Sequence, residues 1–115
     1  MENFLLLIRE DLKELELMSG EQMDKEILEM TKWVEGLAQS GNFASGEPLL
    51  SSGRYIHNDK VLSDGPFIEA KEAISGYIFI KAENIDQATS IAQTCPILSQ
   101  KKMAIEVRPI MEYNL

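Results

Sequence analysis

The segment around Asp64 carries the side chains in this sequence that are best suited to chemistry. Asp64 precedes Gly65 and Pro66, and the acidic Glu69 and the basic Lys71 follow a few residues later. If the segment curls, a carboxylate beside a cation could serve as a general base with an anion anchor. Asp64 could equally cap the Gly65-Pro66 turn through an Asx-type hydrogen bond, with Glu69 and Lys71 on a solvated surface.

Charged and apolar side chains alternate near the end of the chain. Glu106 and Arg108 alternate with Ile105 and Val107, so both charged side chains project from one face of a strand. They either form an ion pair near a sheet edge, or Arg108 holds the carboxylate or phosphate of a ligand. The sequence does not determine which face of the sheet carries these two side chains, because a strand shifted by one residue exchanges its two faces.

Aromatic and acidic side chains supply the remaining candidates. Tyr77 and Phe79 alternate with isoleucines, so they could form an aromatic wall beside such a ligand. Several carboxylates could supply oxygen ligands, but the chain has no EF-hand or histidine-rich spacing, and no metal site is predicted. These carboxylates are Glu47, Asp64, Glu69 and Glu106.

Histidine and cysteine chemistry has little support. His57 is the only histidine and falls in a predicted hairpin, whereas Cys95 is the only cysteine and falls on the apolar stripe of a predicted helix. A single cysteine excludes an intramolecular disulfide and favours a reducing compartment. The sequence also lacks a Walker loop, a GxGxxG motif and a GxSxG motif, so no cofactor is predicted.

Length and charge restrict the class of protein further. The 115 residues suit a single domain over residues 1–115, and the net charge of -8 argues against direct nucleic-acid binding. The apolar run at residues 4–8 is too short for a signal peptide or a membrane span, so we expect a soluble cytoplasmic protein. Residues 10–35 hold most of the acidic excess, which predicts a solvated helix face and its linker rather than an acidic active site.

The first half of the chain predicts a strand, a long helix and a second strand. The unbroken apolar run at residues 4–8 is typical of a central strand, and an acidic linker follows it over residues 10–18. Ser19 has the capping-box spacing to Gln22, and Gly41 offers a left-handed stop, so a helix is expected between them. Its expected core positions are Met23, Ile27, Met30, Val34 and Leu37.

The second half predicts a hairpin, two strands and a helix. A short strand at residues 42–50 precedes a hairpin at residues 54–62. Strands are expected at residues 76–82 and 103–110, with a helix between them that begins at Asn84 and ends before Pro96. The expected inward positions of this helix are Ile85, Ala88, Ile91, Ala92 and Cys95.

This order is the β-α-β-β-α-β pattern of an α+β, ferredoxin-like sheet with an inserted hairpin. Such a sheet carries its helices on one face and leaves the other uncovered. A first strand that is apolar on both faces would then expose a large apolar patch, which soluble monomers rarely tolerate. We therefore expect a homodimer in which a second copy covers the open face.

The residues from Val61 to Glu72, with Asp64-Gly65-Pro66-Phe67 at their centre and Ile74-Ser75-Gly76-Tyr77 after them, resemble the defining segment of the DGPF domain. That domain is a branch of the YCII-related proteins. Further similarity lies at residues 5–8, at Gly46-Glu47-Pro48-Leu49 and at residues 105–110, so it covers nearly the whole chain in order.

The resemblance implies a ferredoxin-like fold that dimerises into an α+β barrel, with a poorly characterised function. In the wider YCII-related group a histidine on the first helix, paired with an aspartate, is the proposed catalytic dyad. That histidine would fall near Met30, and the predicted helix contains no histidine. The dyad is therefore not carried over to this chain.

Two functions follow as expectations. In the first, the dimer barrel binds a small anionic or aromatic molecule, with cofactor-free catalysis by Asp64 as base and Glu47, Glu69, Lys71 and Arg108 as ligand-binding residues. In the second, the protein is a non-catalytic regulatory or interaction module. Relatives that share the motif occur beside, or fused to, extracytoplasmic-function sigma factors, which makes a sigma factor a candidate partner.

Overall fold

The computed structural model describes residues 1–62, 72–99 and 103–114. The first strand, β1 (Glu2–Asp11), alternates strictly in burial along its apolar run. Phe4, Leu6 and Ile8 are buried, whereas Leu5 and Leu7 on the other face are half-buried. β1 therefore has two apolar faces, as the unbroken apolar run predicts.

A short helix replaces most of the predicted acidic linker. β1 continues to Asp11, and α1 (Leu12–Leu17) follows at once. The Asp11 side chain explains the start of α1, because its Oδ1 accepts hydrogen bonds from the backbone nitrogens of Lys13 and Glu14 at 2.8 and 3.3 Å. The expectation of a linker at residues 10–18 is therefore wrong for most of that range.

The long helix α2 (Gly20–Gln39) begins and ends where the sequence predicts. The hydroxyl of Ser19 accepts from the backbone nitrogen of Gln22 at 3.1 Å, and Gly41 has a φ of 81°, the left-handed conformation of a helix stop. The expected core stripe is only partly confirmed. Leu37 is buried and Met30 and Val34 pack against the core, but Met23 and Ile27 are 43% and 57% exposed.

Three further strands join β1 in one sheet: β2 (Phe43–Pro48), β5 (Glu72–Ala82) and β6 (Met103–Pro109). The sheet is antiparallel, with the strand order β2-β5-β1-β6. β1 lies between β5 and β6, so the prediction of a central first strand is confirmed. The mixed α+β architecture is compatible with a ferredoxin-like fold.

The predicted hairpin is a separate two-stranded sheet made of β3 (Tyr55–His57) and β4 (Lys60–Leu62). The turn between them begins at Asn58, whose φ of 55° lies in the left-handed region that asparagine tolerates. His57 is exposed, as the hairpin prediction implies.

The last helix, α3 (Ile85–Gln93), starts at the predicted cap. The side chain of Asn84 accepts from the backbone nitrogen of Gln87 at 2.9 Å. Ala88, Ala92 and Cys95 are buried as expected, whereas Ile85 is 47% exposed, so its expected inward position is wrong. The core lies between the sheet and these helices, on the sheet face that carries Phe4, Leu6, Ile8, Ile78, Ile80 and Ala82.

Candidate functional site

A cavity of about 410 Å³ lies between α2 and the sheet face that bears the core. It is open because the first half of α2 does not pack closely on the sheet, as the exposure of Met23 and Ile27 indicates. This volume is within the usual range for small-molecule pockets. Most of the described lining is apolar and includes Ile8, Leu15, Met18, Met23, Ile27, Met30, Val34, Phe43, Ile78 and Ile97.

Two glycines provide part of the lining on the sheet side. Gly46 and Gly76 lie where β2 and β5 approach closely. A Cβ atom at Gly46 would lie 2.7 Å from the carbonyl oxygen of Tyr77, and one at Gly76 would lie 3.3 Å from that of Glu47. The absence of side chains here keeps this part of the cavity open, and it brings the family-like segments 46–49 and 75–77 to the same place.

A β-bulge directs Ser75 toward the cavity. In the β1–β5 ladder Ile8 pairs with Gly76 and Arg9 pairs with Ile74, so Ser75 is the extra residue. Its hydroxyl donates a hydrogen bond to Oε2 of Glu10, and both residues line the cavity. Ser75 and Glu10 therefore form a hydrogen-bonded polar pair within a mostly apolar wall.

The acidic character of the cavity differs from the sequence expectation. Among the described residues, Glu10, Glu26 and Glu47 border it and no lysine, arginine or histidine does. Glu47 pairs with Tyr77 in the β2–β5 ladder, so its side chain projects from the opposite sheet face, and only Glu10 and Glu26 place acidic side chains on the cavity side. Glu10 and Glu26 are half-buried and belong to the segment 10–35, whose acids are predicted to lie on a solvated helix face and its linker. For these two residues that expectation is wrong. β1 extends far enough to place Glu10 under α2, and Glu26 lies on the side of α2 that borders the cavity.

Sulfur atoms lie at the inner side of α2. The Sγ of Cys95 contacts the Sδ of Met30 at 3.6 Å, and burial raises the pKa of the Cys95 thiol. Cys95 is therefore a buried hydrophobic thiol, as predicted. Met30 lines the cavity, and the family resemblance places the dyad histidine near this residue.

The opposite sheet face carries the predicted charged pair. Arg108 Nη1 lies 3.1 Å from Glu106 Oε2, and Arg9 Nη1 lies 4.0 Å from Glu106 Oε1. Glu106 and Arg108 pair with Leu7 and Leu5 of β1, which places both on the face away from the core. The ion pair that the sequence offered as one alternative is therefore present.

Aromatic side chains share this open face. Tyr77 and Phe79 pair with Leu7 and Leu5, and their rings are in edge-to-face contact with centroids 5.7 Å apart. Both rings are half-buried. They form the aromatic wall that the sequence predicted, next to the strand that carries Leu5 and Leu7.

The predicted site residues are not all brought together. Glu47 lies on β2 and Arg108 on β6, the two opposite edge strands of the sheet, so three strand spacings of about 4.8 Å separate their strands. Asp64, Glu69 and Lys71 lie outside the described residues. Sequence reasoning missed Glu10 and the role of Ser75, although Ser75 belongs to one of the motif segments that the resemblance singles out.

Comparison with known proteins gives the family. Within the described ranges, no helix is both long and apolar enough to cross a membrane. No curated protein matches the chain. The family model of the YCII-related domain matches residues 3–114, and the chain therefore belongs to the YCII-related family.

Proposed function

We propose that this YCII-related protein binds a small molecule in the cavity under α2 and acts as a homodimer. The cavity carries this proposal. Its volume of about 410 Å³, its apolar walls and its few polar groups are the features of a small-molecule pocket. Family-like segments at β2 and β5 and the position Met30 border the same space, which further supports a functional role.

The open sheet face supports the homodimer. Leu5, Leu7, Tyr77 and Phe79 form a contiguous apolar surface that the core on the other side does not use. A second copy of this face would remove that surface from water, at roughly 25 cal/mol for each Å² of apolar area buried. Two such sheets facing each other would enclose a barrel, which is the assembly that the family resemblance implies.

The barrel interior is a second location for a ligand. Arg108 lies on the open face with its side chain 65% exposed, and β1 separates it from the aromatic pair on β5. In a dimer this guanidinium could anchor an anionic or aromatic molecule. Cofactor-free catalysis with Asp64 as base, assisted by Glu69 and Lys71, stays a proposal for the segment outside the described residues.

One observation favours the alternative of a non-catalytic interaction module. The outer surface of α2 exposes Glu21, Asp24 and Glu35, an acidic face that a basic surface of a sigma factor could contact. This face is separate from the cavity. Variants of the cavity should therefore change ligand binding alone, and variants of the acidic face should change partner binding alone.

A ligand screen with matched variants tests the proposed function. Met23 lines the cavity and Leu28 does not, although both are exposed apolar residues of α2. We expect wild type and L28W to gain stability with a bound compound, by roughly 2.7 kcal/mol at 100 times its dissociation constant. We expect M23W to fill the entrance and to lose the response.

Two results count against the cavity as the binding site. If M23W keeps every thermal shift of the wild type, the ligand binds elsewhere. The second result has two parts: no compound in a broad metabolite library stabilises the wild type, and a sigma factor co-purifies with it. If that sigma factor no longer co-purifies with a variant in which Glu21 and Asp24 are changed to Lys, the protein functions as the interaction module.

A further inference from the structure

We infer that the β3–β4 hairpin is a lid for the cavity under α2, an inference that rests on the proposed function. No residue from Tyr55 to Val61 lines the cavity in the structure, which we assign to the open state. Closure places the hairpin face that carries Ile56 and Val61 over the mouth of the cavity, against Met23 and Ile27 of α2.

The hairpin carries an apolar face that the structure leaves in water. Ile56 pairs with Val61, so both side chains project from one face of the two-stranded sheet, and they are 69% and 60% exposed. Neither strand packs extensively on another described element. A two-stranded hairpin is at best marginally stable by itself, and packing against a helix is one way to stabilise it. The hairpin therefore gains stability if this face docks on the body of the protein.

The hairpin is attached at the rim of the cavity. Leu49, which follows β2, and Ser75 of β5 both line the cavity, and the backbone nitrogen of Leu49 donates a hydrogen bond to the carbonyl oxygen of Ser75 at 2.8 Å. Residues 50–54 link this point to β3, belong to no helix or strand, and contain two serines and one glycine. A link of this composition is flexible, and its length allows a reach of up to about 17 Å.

The mouth of the cavity offers an apolar surface of matching character. Met23 and Ile27 line the cavity and are 43% and 57% exposed, and Leu49 beside the link is 46% exposed. Docking removes apolar area of the hairpin and of the mouth from water at the same time, which is favourable for both. Because the link is short, the hairpin meets the mouth of its own chain at a high effective concentration, which favours this contact over one with a second copy.

Charge favours the same contact. Over residues 20–29, α2 carries four acidic residues and one lysine. Over residues 54–61, the hairpin segment carries Arg54 and Lys60 against one acidic residue. The hairpin and the first half of α2 therefore have net charges of opposite sign, which attract each other and help to orient the docked hairpin.

Disulfide formation tests the contact. In I27C/V61C the two new thiols form a disulfide only if the hairpin reaches α2, because this bond needs Cα atoms within about 7 Å of each other. I85C/V61C is the matched control, since Ile85 is also an exposed isoleucine on a helix but follows the end of β5 that lies away from the cavity. We expect I27C/V61C to close within one chain at least about tenfold faster than the control. Peptide mass mapping of the oxidised proteins measures this and distinguishes the new thiols from the buried Cys95.

Uptake of N-phenyl-1-naphthylamine, an uncharged apolar dye that fluoresces in apolar surroundings, tests the gating. We expect reduced I27C/V61C to bind the dye, and the oxidised protein to take it up at least about tenfold more slowly until a reductant is added. I56S/V61S should release bound dye faster than the wild type, because it lacks the apolar docking face. L28S should release it at the wild-type rate, since Leu28 is an exposed residue of α2 that does not line the cavity.

The outcomes distinguish this inference from the function on which it rests. If the dye binds but I27C/V61C cross-links no faster than I85C/V61C, or cross-links only between two chains, the cavity binds small molecules and the inferred lid is wrong. The lid is also wrong if the oxidised protein takes up the dye as fast as the reduced protein. If I27C/V61C cross-links within one chain, and neither the dye nor any library compound binds, the hairpin docks on α2 and it is the proposed function that fails.

Discussion

Leu5 of β1 lies directly opposite Arg108 of β6, and both side chains project from the sheet face away from the core. This pairing places apolar and basic groups together on the open face, with the Glu106 carboxylate between Arg9 and Arg108. The core side instead holds the mostly apolar cavity under α2. The two faces of one sheet therefore offer different chemistry to ligands and partners.

The open face gives the first prediction, which concerns assembly. We expect L7K to convert a dimer into a monomer, because Leu7 lies at the centre of the face and a lysine there would be buried against the second copy. Residue 7 lies opposite Glu106, whose carboxylate can pair with the introduced lysine in the monomer, so the monomer should remain folded. Analytical ultracentrifugation at micromolar concentration should show 13.0 kDa for the variant and twice this mass for the wild type.

L28K is the control for this prediction, because Leu28 is an exposed leucine of α2, on the other side of the sheet. It should leave the sedimentation unchanged. A wild-type protein that sediments as a single chain would remove the basis for the dimer and for the barrel.

Local signals in the sequence were sufficient for most element positions. The Ser19 and Asn84 caps and the Gly41 stop were identified correctly because each depends on a short-range hydrogen bond or on one backbone conformation. The alternation of Glu106 and Arg108 also correctly predicted a shared face. It could not identify which face, since that depends on how β6 pairs with β1 over a distance of many residues.

The cavity could not be predicted for related reasons. A helical stripe that includes Met23 and Ile27 indicates which side of α2 is apolar, but not how closely the helix approaches the sheet. Ser75 reaches Glu10 only because a bulge inserts one residue into β5, and no local pattern marks that bulge. Glu10 looked like part of a linker because its strand continues past the apolar run.

Two glycines should respond in opposite ways to alanine. In G46A the new Cβ would lie 2.7 Å from a backbone oxygen of Tyr77, so β2 and β5 would have to move apart. We expect a loss of about 1–3 kcal/mol in the free energy of unfolding. Gly36 is an exposed residue of α2, and in G36A the new methyl group meets nothing within 4 Å. Because alanine favours the helix more than glycine does, we expect the free energy of unfolding to rise by about 0.5–1 kcal/mol.

Urea denaturation of the two glycine variants measures these changes directly. Equal stability of G46A and wild type would mean that the close approach of β2 and β5 can relax at little cost. Ligand response should also fall in G46A, because the residue lines the cavity, and should be unchanged in G36A, which does not.

Glu29 gives a third prediction, which concerns stability alone. Its Oε2 is buried and has no hydrogen-bond partner among the described residues. A buried acceptor without a partner costs roughly 1–3 kcal/mol, so we expect E29L to raise the free energy of unfolding by about 1 kcal/mol. E35L on the same helix should change it by less than about 0.5 kcal/mol, because Glu35 is exposed.

The thermal midpoints of these two variants can be compared in one experiment. A decrease in stability for E29L, with the fold retained, would show that the Glu29 carboxylate makes a favourable interaction in solution.

The fourth prediction concerns the dependence of stability on alkaline pH. Burial raises the pKa of Cys95 in the folded protein, since desolvation disfavours the thiolate. The unfolded chain therefore releases the thiol proton at lower pH than the folded chain does. The stabilising contribution is complete below the unfolded pKa of about 8.5 and is lost as the pH rises from there through the folded pKa.

C95A provides the comparison, because alanine does not titrate while the other groups of the protein are unchanged. At about pH 7 we expect the wild type to be more stable than C95A, since the thiol fills a buried site beside Met30. This advantage should shrink between about pH 8 and pH 10, as measured by urea denaturation at each pH. A constant difference over this range would mean that folding does not shift the Cys95 pKa, and that the thiol is more accessible to water than its burial indicates.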